Sequence, residues 1–250
     1  MLSIIGIGLS GPTDISVKGF ERVKEADRVY LEVYTSVLEC PQEDLEKFYG
    51  KSIIRADRAM VENNAEHTIL HNAKDTKVVF LVIGDALSAT THVDLWQRAS
   101  AAGIKVELIF NASVLTAVGA TGLELYKFGK VTSIPKQNKD VETPYLILAQ
   151  NQSINAHTLF LLDLDPINNV FLTIPEAIDF LLSIEQRKQQ NLLSPETLAI
   201  GCARLGSSNQ LIKTGTLSNL RSVDFEKPPF CLIIPAKLHF VEEELINQWK

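Results

Sequence analysis

Residues 78–85 read VVFLVIGD. An unbroken apolar run from Val78 to Ile83, stopped by Gly84-Asp85, predicts a strand covered on both faces, because a strand with one wet face alternates apolar and polar residues. Downstream, the spacing predicts a helix over residues 91–102, ended by Gly103 as a left-handed stop, and then a strand over 104–110. Upstream, a helix is expected over about 58–73, a short strand at Ile53–Ile54 and a charged helix at 43–49. Before these, Val29, Leu31 and Val33 alternate as a strand. Val17, Phe20, Val23 and Ala26 mark one helical face behind polar caps at Thr13 and Asp14, and Leu2 to Ile7 reads as a buried strand. Strands alternating with helices give a parallel or mostly parallel α/β sheet.

The second half is less regular. Residues 113–122 read as helical despite two glycines, and the polar stretch Pro135 to Pro144 as a loop or lid. Strands are expected at 157–162, 198–203 and 231–234, with helices at 175–187 and near the end around Val241, Leu245 and Ile246. The change of pattern near Asn111 predicts two α/β domains, 1–110 and 111–250, each a sheet flanked by helices, with a ligand cleft between them. Ligands of such sheets sit at the carboxyl ends of strands, where Gly8, Asp85, Asn111 and Asp163 fall.

Length and charge narrow the function. The 250 residues carry a net charge of −6, with 24 Lys plus Arg against 30 Asp plus Glu. Without a basic run, phosphate neutralisation has little to work with, so nucleic acid is not the expected partner. Cys40, Cys202 and Cys231 form no paired motif, which fits a reducing compartment and excludes a four-cysteine zinc site. The apolar start lacks a basic leader and is broken by glycines and Pro12, and no run reaches the length of a membrane span. The expected setting is the cytoplasm, away from membranes.

Two constellations carry candidate chemistry. Gly6-x-Gly8-x-x-Gly11 matches the dinucleotide fingerprint, with Glu32 placed as a ribose-binding acid. Pro12 delays the helix, however, so a widened turn offering bare backbone to a flat or cationic ligand stands beside the NAD reading and a purely structural one. At Gly84-Asp85-Ala86-Leu87-Ser88, the acid can accept hydrogen bonds from a ligand or cap the following helix. His92 reads as structural. His67 and His71 share a helical face but lack the zinc-protease glutamate, so no metal is expected.

Longer segments carry a resemblance. GIGLSGPTDISVKGFERVKEADRVYLEVYTSVL, GDALSATTHVDL and NASVLTAVGATGLELYKFG, continued by HTLFLLDLD, FLTIPEAIDFLLSIE, ETLAIGCARLGSSNQLIKTGTL and IIPAKLHFVEEELI, resemble the diphthine synthase family within the tetrapyrrole-methylase class. The resemblance implies a homodimer of two-domain α/β subunits that binds S-adenosylmethionine between its domains. It implies repeated methylation of the amino group of a 3-amino-3-carboxypropyl-histidine on translation elongation factor 2, with a further carboxyl methylation in eukaryotic relatives. Carried over by motif, donor contacts fall at Leu9, Asp85, Ser88, Ser113, Val114, Leu162, Leu205 and Phe230; no catalytic residue is assigned. Ala86 stands where the family commonly has proline and Phe230 where it has histidine, which exchanges a hydrogen bond for a stacking or apolar contact. Residues 135–154 lack the family's tryptophan-containing segment. Two rivals remain: an NAD-dependent oxidoreductase, and a degenerate methylase-fold protein that binds elongation factor 2 without turnover.

Overall fold

The computed structural model describes residues 1–138 and 140–250. They divide into two compact units, Met1–Ala117 and Val118–Lys250. The division falls after Ala117 rather than at the change of pattern near Asn111, because residues just past the last strand of the first sheet stay hydrogen-bonded to that sheet's turns.

In the first unit the order is β1 (Leu2–Gly6), α1 (Val17–Glu25), β2 (Arg28–Glu32), α2 (Gln42–Tyr49), β3 (Ile53–Ala56), α3 (Ile69–Asp75), β4 (Val78–Val82), α4 (Val93–Ala101), β5 (Val106–Ile109) and the single turn α5 (Val114–Ala117). The sheet runs β3-β2-β4-β1-β5, and every pairing is parallel. The run at 78–82 behaves as its composition requires. Val78, Phe80 and Val82 pack on one face with Ile69, Leu70, Ala73, Leu95 and Ala99. Val79 and Leu81 pack on the other with Val23, Leu45 and Tyr49. Period-two alternation inside a wholly apolar strand therefore supplies two cores at once.

Helix ends follow local chemistry. Gly50 closes α2 in the left-handed region at φ 65°, as glycine past a helix end does. The cap of α1 is Ser16, whose hydroxyl accepts from the Gly19 N–H, rather than Thr13 or Asp14. The long helix expected over 58–73 is broken into a π-type turn, a 3-10 turn and α3. Asn64 and Thr68 leave helical geometry there; such residues offer the backbone competing side-chain bonds, and the Thr68 hydroxyl donates to the Asn64 carbonyl.

In the second unit come β6 (Thr132–Ile134), α6 (Thr143–Ser153), β7 (Thr158–Leu162), β8 (Leu164–Asp165), β9 (Val170–Phe171), α7 (Ile174–Lys188), β10 (Leu198–Ala203), β11 (Leu211–Thr216), α8 (Leu217–Leu220), β12 (Phe230–Ile234) and α9 (Phe240–Ile246). Its main sheet is mixed, in the order β11-β10-β12-β7-β6: β6 pairs parallel with β7 and the other pairings are antiparallel. The core gathers Phe160, Leu162, Leu232 and Ile234 from the sheet against Tyr145 and Leu148 of α6 and Ile174, Ile178, Leu181 and Ile184 of α7. Helix α7 opens with a full capping box between Thr173 and Glu176, which satisfies two otherwise unpaired backbone donors. The loop expected at Pro135–Pro144 gives way to helix at its end, and Thr143–Ser153, most of which received no element from sequence, is helical.

Helix α9 is locked by a buried polar trio. The Glu242 carboxylate accepts from the ring Nε2 of His157 at 2.9 Å, from Lys127 Nζ and from the Glu124 and His239 backbone N–H groups. His157 Nδ1 accepts from the Ala236 N–H at 3.0 Å, which fixes the ring proton on Nε2. Burial would raise the Glu242 pKa, but these donors overcome it and hold the group down at about 2. Among the described residues, no helix is long and apolar enough to cross a membrane.

Candidate functional site

The site in the first unit grows from the strand order. The chain leaves β1 toward β2 on one side and leaves β4 toward β5 on the other, so a topological switch point lies between these neighbours, where open α/β sheets bind ligands. Pairing continues past the strands: the Gly8 N–H donates to the Gly84 carbonyl at 3.1 Å, and the Gly84 N–H donates to the Gly8 carbonyl at 2.7 Å.

These glycines have a packing reason that differs from making room for a ligand. A Cβ on Gly6 would lie 2.6 Å from the Gly84 carbonyl oxygen and 2.8 Å from the Asp85 Cα. On Gly8, at φ +81°, it would lie 2.4 Å from the Asp14 Cβ. Gly6 thus lets its turn close on that of Gly84 to Ala86, and Gly8 lets its own turn close on Asp14. Gly11 is extended and a Cβ there meets nothing within 4 Å. The close approach of helix to strand belongs to Gly19, whose added Cβ would sit 2.9 Å from Ile5.

Carboxylates brace the two turns. One Asp14 oxygen accepts from the Leu9 N–H (3.2 Å), the Ser10 N–H (2.8 Å) and the Ser10 hydroxyl (3.0 Å). Asp85 Oδ1 accepts from the Leu87 and Ser88 N–H groups, both at 3.1 Å, and from the Ser88 hydroxyl at 2.8 Å. Asp85 Oδ2 accepts from the Asn111 N–H at 2.9 Å. Burial opposes ionisation of Asp85, but hydrogen bonds from Asn111, Leu87 and Ser88 outweigh it and lower the pKa, so the carboxylate stays charged. Asp85 therefore closes its own turn and does not cap α4, which begins at Val93 with no side-chain cap, while Oδ2, with a single protein donor among the described residues, keeps acceptor capacity. Ser113, buried in the third turn, accepts the Leu115 N–H and starts α5.

The structure brings Leu9, Asp85, Ser88, Ser113 and Val114 together on three adjacent turns at the carboxyl ends of β1, β4 and β5. Leu9 and Val114 are half-buried there. In the second unit, Leu162, Leu205 and Phe230 gather at one end of the mixed sheet: Leu162 ends β7, Leu205 follows β10, and Phe230 begins β12 opposite Ala203. Arg204, buried at φ 51°, shapes that end. Its guanidinium donates to the carbonyls of Asn209, Phe225 and Lys227 and pairs with Glu226 at 2.9 Å. In the first unit by itself, half-buried Leu9 and Val114 beside the ionised Asp85 carboxylate suit a ligand with an apolar part and a cationic centre.

Two features remove the basis for the dinucleotide reading. The Glu32 carboxylate is fully buried and engaged with the Tyr34 N–H, the Thr35 N–H and the Thr35 hydroxyl at 2.6, 2.5 and 2.7 Å. It closes its own turn instead of facing a ribose. Helix α1 also starts well beyond Gly11. His92 is buried against Tyr34 and Phe80, and burial lowers its pKa to about 4.

From sequence, Asn111 stands at the ligand end of the sheet without a specific role and Asp14 reads only as a helix cap; Arg204 is not singled out. For Asn111 the signal is faint, because its side-chain partners Gly6 and Asp14 lie 105 and 97 residues away; Asp14 bonds its own turn at Leu9 and Ser10.

Comparison with known proteins follows this geometry. The family model of tetrapyrrole (corrin/porphyrin) methylases matches residues 1–221. A diphthine synthase of Methanocella arvoryzae is 42% identical over 251 residues, covering 99% of this chain and 97% of its own. A diphthine methyl ester synthase of Saccharomyces cerevisiae is 43% identical over 268 residues, covering 100% of this chain and 89% of its own. A crystal structure of a diphthine synthase superposes with a TM-score of 0.91 at 38% identity, over 99% of this chain and 95% of that one.

Proposed function

The chain belongs to the tetrapyrrole methylase family, and on that premise we propose that it works as a diphthine synthase-type methyltransferase. It transfers methyl groups from S-adenosylmethionine to the amino group of the 3-amino-3-carboxypropyl-histidine of translation elongation factor 2. The observation that carries this reading is similarity over the whole chain: relatives named diphthine synthase and diphthine methyl ester synthase cover 99% and 100% of it. The same resemblance supports a homodimer acting in the cytoplasm.

S-adenosylmethionine supplies a methyl group on a sulfonium that is already activated for in-line displacement. The chain's own part is alignment and dehydration, and oriented reactants gain effective molarities of about 10⁵ M or more. In this reading Leu9, Asp85, Ser88, Ser113 and Val114 hold the donor from the first unit, and Leu162, Leu205 and Phe230 from the second. The apolar members also favour a neutral attacking amine, since an aliphatic ammonium with a pKa of about 10 is otherwise mostly protonated at neutral pH. The Asp85 carboxylate is occupied by donors from Leu87, Ser88 and Asn111, and no general base is assigned.

The test is incubation of the full chain with donor and with elongation factor 2 carrying the unmethylated side chain, followed by mass spectrometry of the factor. Stepwise gains of one methylene mass each are expected. Donor binding without any gain in mass would refute the enzyme reading and leave the degenerate binding protein.

A further inference from the structure

Asn111 lies two residues past Ile109, the end of β5, and its bonds reach further than those of its neighbours. Its side-chain Nδ2 donates to the Gly6 carbonyl at 3.0 Å and to the Asp14 carbonyl at 2.9 Å. Its backbone N–H donates to Asp85 Oδ2 at 2.9 Å, and its Oδ1 accepts from the Ala112 N–H at 2.7 Å. Gly6 lies 105 residues away in sequence and Asp14 lies 97. Asp14 and Asp85 each brace their own turn; Asn111 ties both braced turns to the third, which carries Ser113 and Val114.

The chemistry asks for asparagine. A planar amide offers two N–H donors on one nitrogen and an acceptor beside it, within reach of two carbonyls and one amide. Aspartate of the same shape has no donor when ionised, and alanine has neither donor nor acceptor. The Gly8–Gly84 bonds join the Leu9 and Asp85 turns to each other; leaving the Gly6 and Asp14 carbonyls without the Asn111 amide removes the side-chain tie between the Leu9 turn and the third turn.

We propose that Asn111 is a positioning residue of the donor site: without touching the ligand, its side-chain amide holds the turns of Leu9, of Asp85 and Ser88, and of Ser113 and Val114 in one register. The proposal rests on the reading of those turns as the place of S-adenosylmethionine. It predicts a pH signature that general loosening of the fold would not give. In Asn111→Asp the new carboxyl faces the Gly6 and Asp14 carbonyl oxygens, and the charged groups around it are the Asp14 and Asp85 carboxylates. Each disfavours the ionised form, so its pKa is raised. Below that pKa the neutral acid donates one hydrogen bond and restores part of the tie; as pH rises through it the tie is lost.

The experiment is calorimetric titration of S-adenosylmethionine into the full-length protein, Asn111→Asp and Asn111→Ala, at pH 5.5 and pH 8, with circular dichroism of each. Affinities are expressed relative to the unaltered protein at the same pH, which removes the ligand's own titration. Asn111→Asp is expected to bind about tenfold or more weakly at the higher pH, and to recover to within about threefold at the lower, as expected for a buried acceptor left unpaired and then regained. Asn111→Ala is expected to be weak at both. Binding by Asn111→Asp that equals the unaltered protein at pH 8, or that is weak at both pH values, would overturn the proposal. So would loss of fold in both variants at both pH values, which would make Asn111 a determinant of the fold and not of the site. Absence of binding by the unaltered protein would instead remove the donor-site reading, and this proposal with it.

Discussion

The substitution Gly6→Ala separates two explanations for the opening glycines. If Gly6 makes room for a ligand, alanine should weaken ligand binding and leave stability alone. The structure points to a stability cost. The added Cβ meets the Gly84 oxygen at 2.6 Å, the Asp85 Cα at 2.8 Å and the Ala86 nitrogen at 2.9 Å, all backbone atoms of a braced turn. None can swing away as a side-chain tip would. Overpacking of this kind costs about 1–3 kcal/mol. If the turns part instead, the reciprocal Gly8–Gly84 hydrogen bonds go, at about 0.5–1.5 kcal/mol each. The two routes are alternatives, so the expected loss is about 1–3 kcal/mol by either. Urea unfolding followed by fluorescence should show a lower midpoint at an unchanged slope, which marks a change in stability rather than in surface exposed. Gly11→Ala is the matched control: its backbone is extended, its Cβ is unobstructed, and stability should stay within about 0.5 kcal/mol. A Gly6→Ala protein as stable as the Gly11→Ala control would refute the reasoning. For the same reason Gly8→Val, at φ +81° and 2.4 Å from the Asp14 Cβ, is expected to lose stability together with any ligand, and so cannot isolate a ligand contact.

Two further outcomes are expected. Glu242 has a folded pKa of about 2 against an ordinary 4.5, so its contribution of about 3 kcal/mol is present above pH 4.5 and is lost as pH falls toward 2; Glu242→Gln should flatten the acid limb of urea midpoints measured from pH 7 to 3, and an unchanged limb would contradict this. Asp85→Asn presents only one acceptor oxygen where the carboxylate takes donors on both; a loss of about 1–3 kcal/mol in stability and weaker S-adenosylmethionine binding are expected, and donor affinity within twofold of the unaltered protein by calorimetry would exclude Asp85 from the donor site.

The sequence was most legible where one element carries its own explanation. The run at 78–83 needs cover on both faces, and the sheet has it; Gly50 and Gly103 stop helices because only a left-handed residue lets the chain turn there. Asp85 was legible as a residue at the mouth of the sheet, since a strand ending in Gly-Asp leaves its acid at that edge. Legibility fails where the deciding partner is distant. Helix α6 hid because Pro144, Tyr145, Leu148 and Asn151 face inward while Leu146 is 43% exposed, so apolar residues on two sides blur the period that marks a helix. Strand β11 hid because Thr214, a polar residue, is one of its inward positions. Asn111 hid more deeply, since nothing near it in the chain announces Gly6 or Asp14. Gly6 and Gly8 were conspicuous, yet their neighbours turned out to be Gly84 to Ala86 and Asp14, which no local motif names.

The reciprocal bonding of Gly8 and Gly84 has a thermodynamic corollary. A ligand resting on these turns meets a receptor surface that is already set before it arrives, so association spends little freedom on arranging the backbone. Recognition there should follow lock-and-key kinetics, with changes in residence time, rather than in encounter rate, separating strong variants from weak ones.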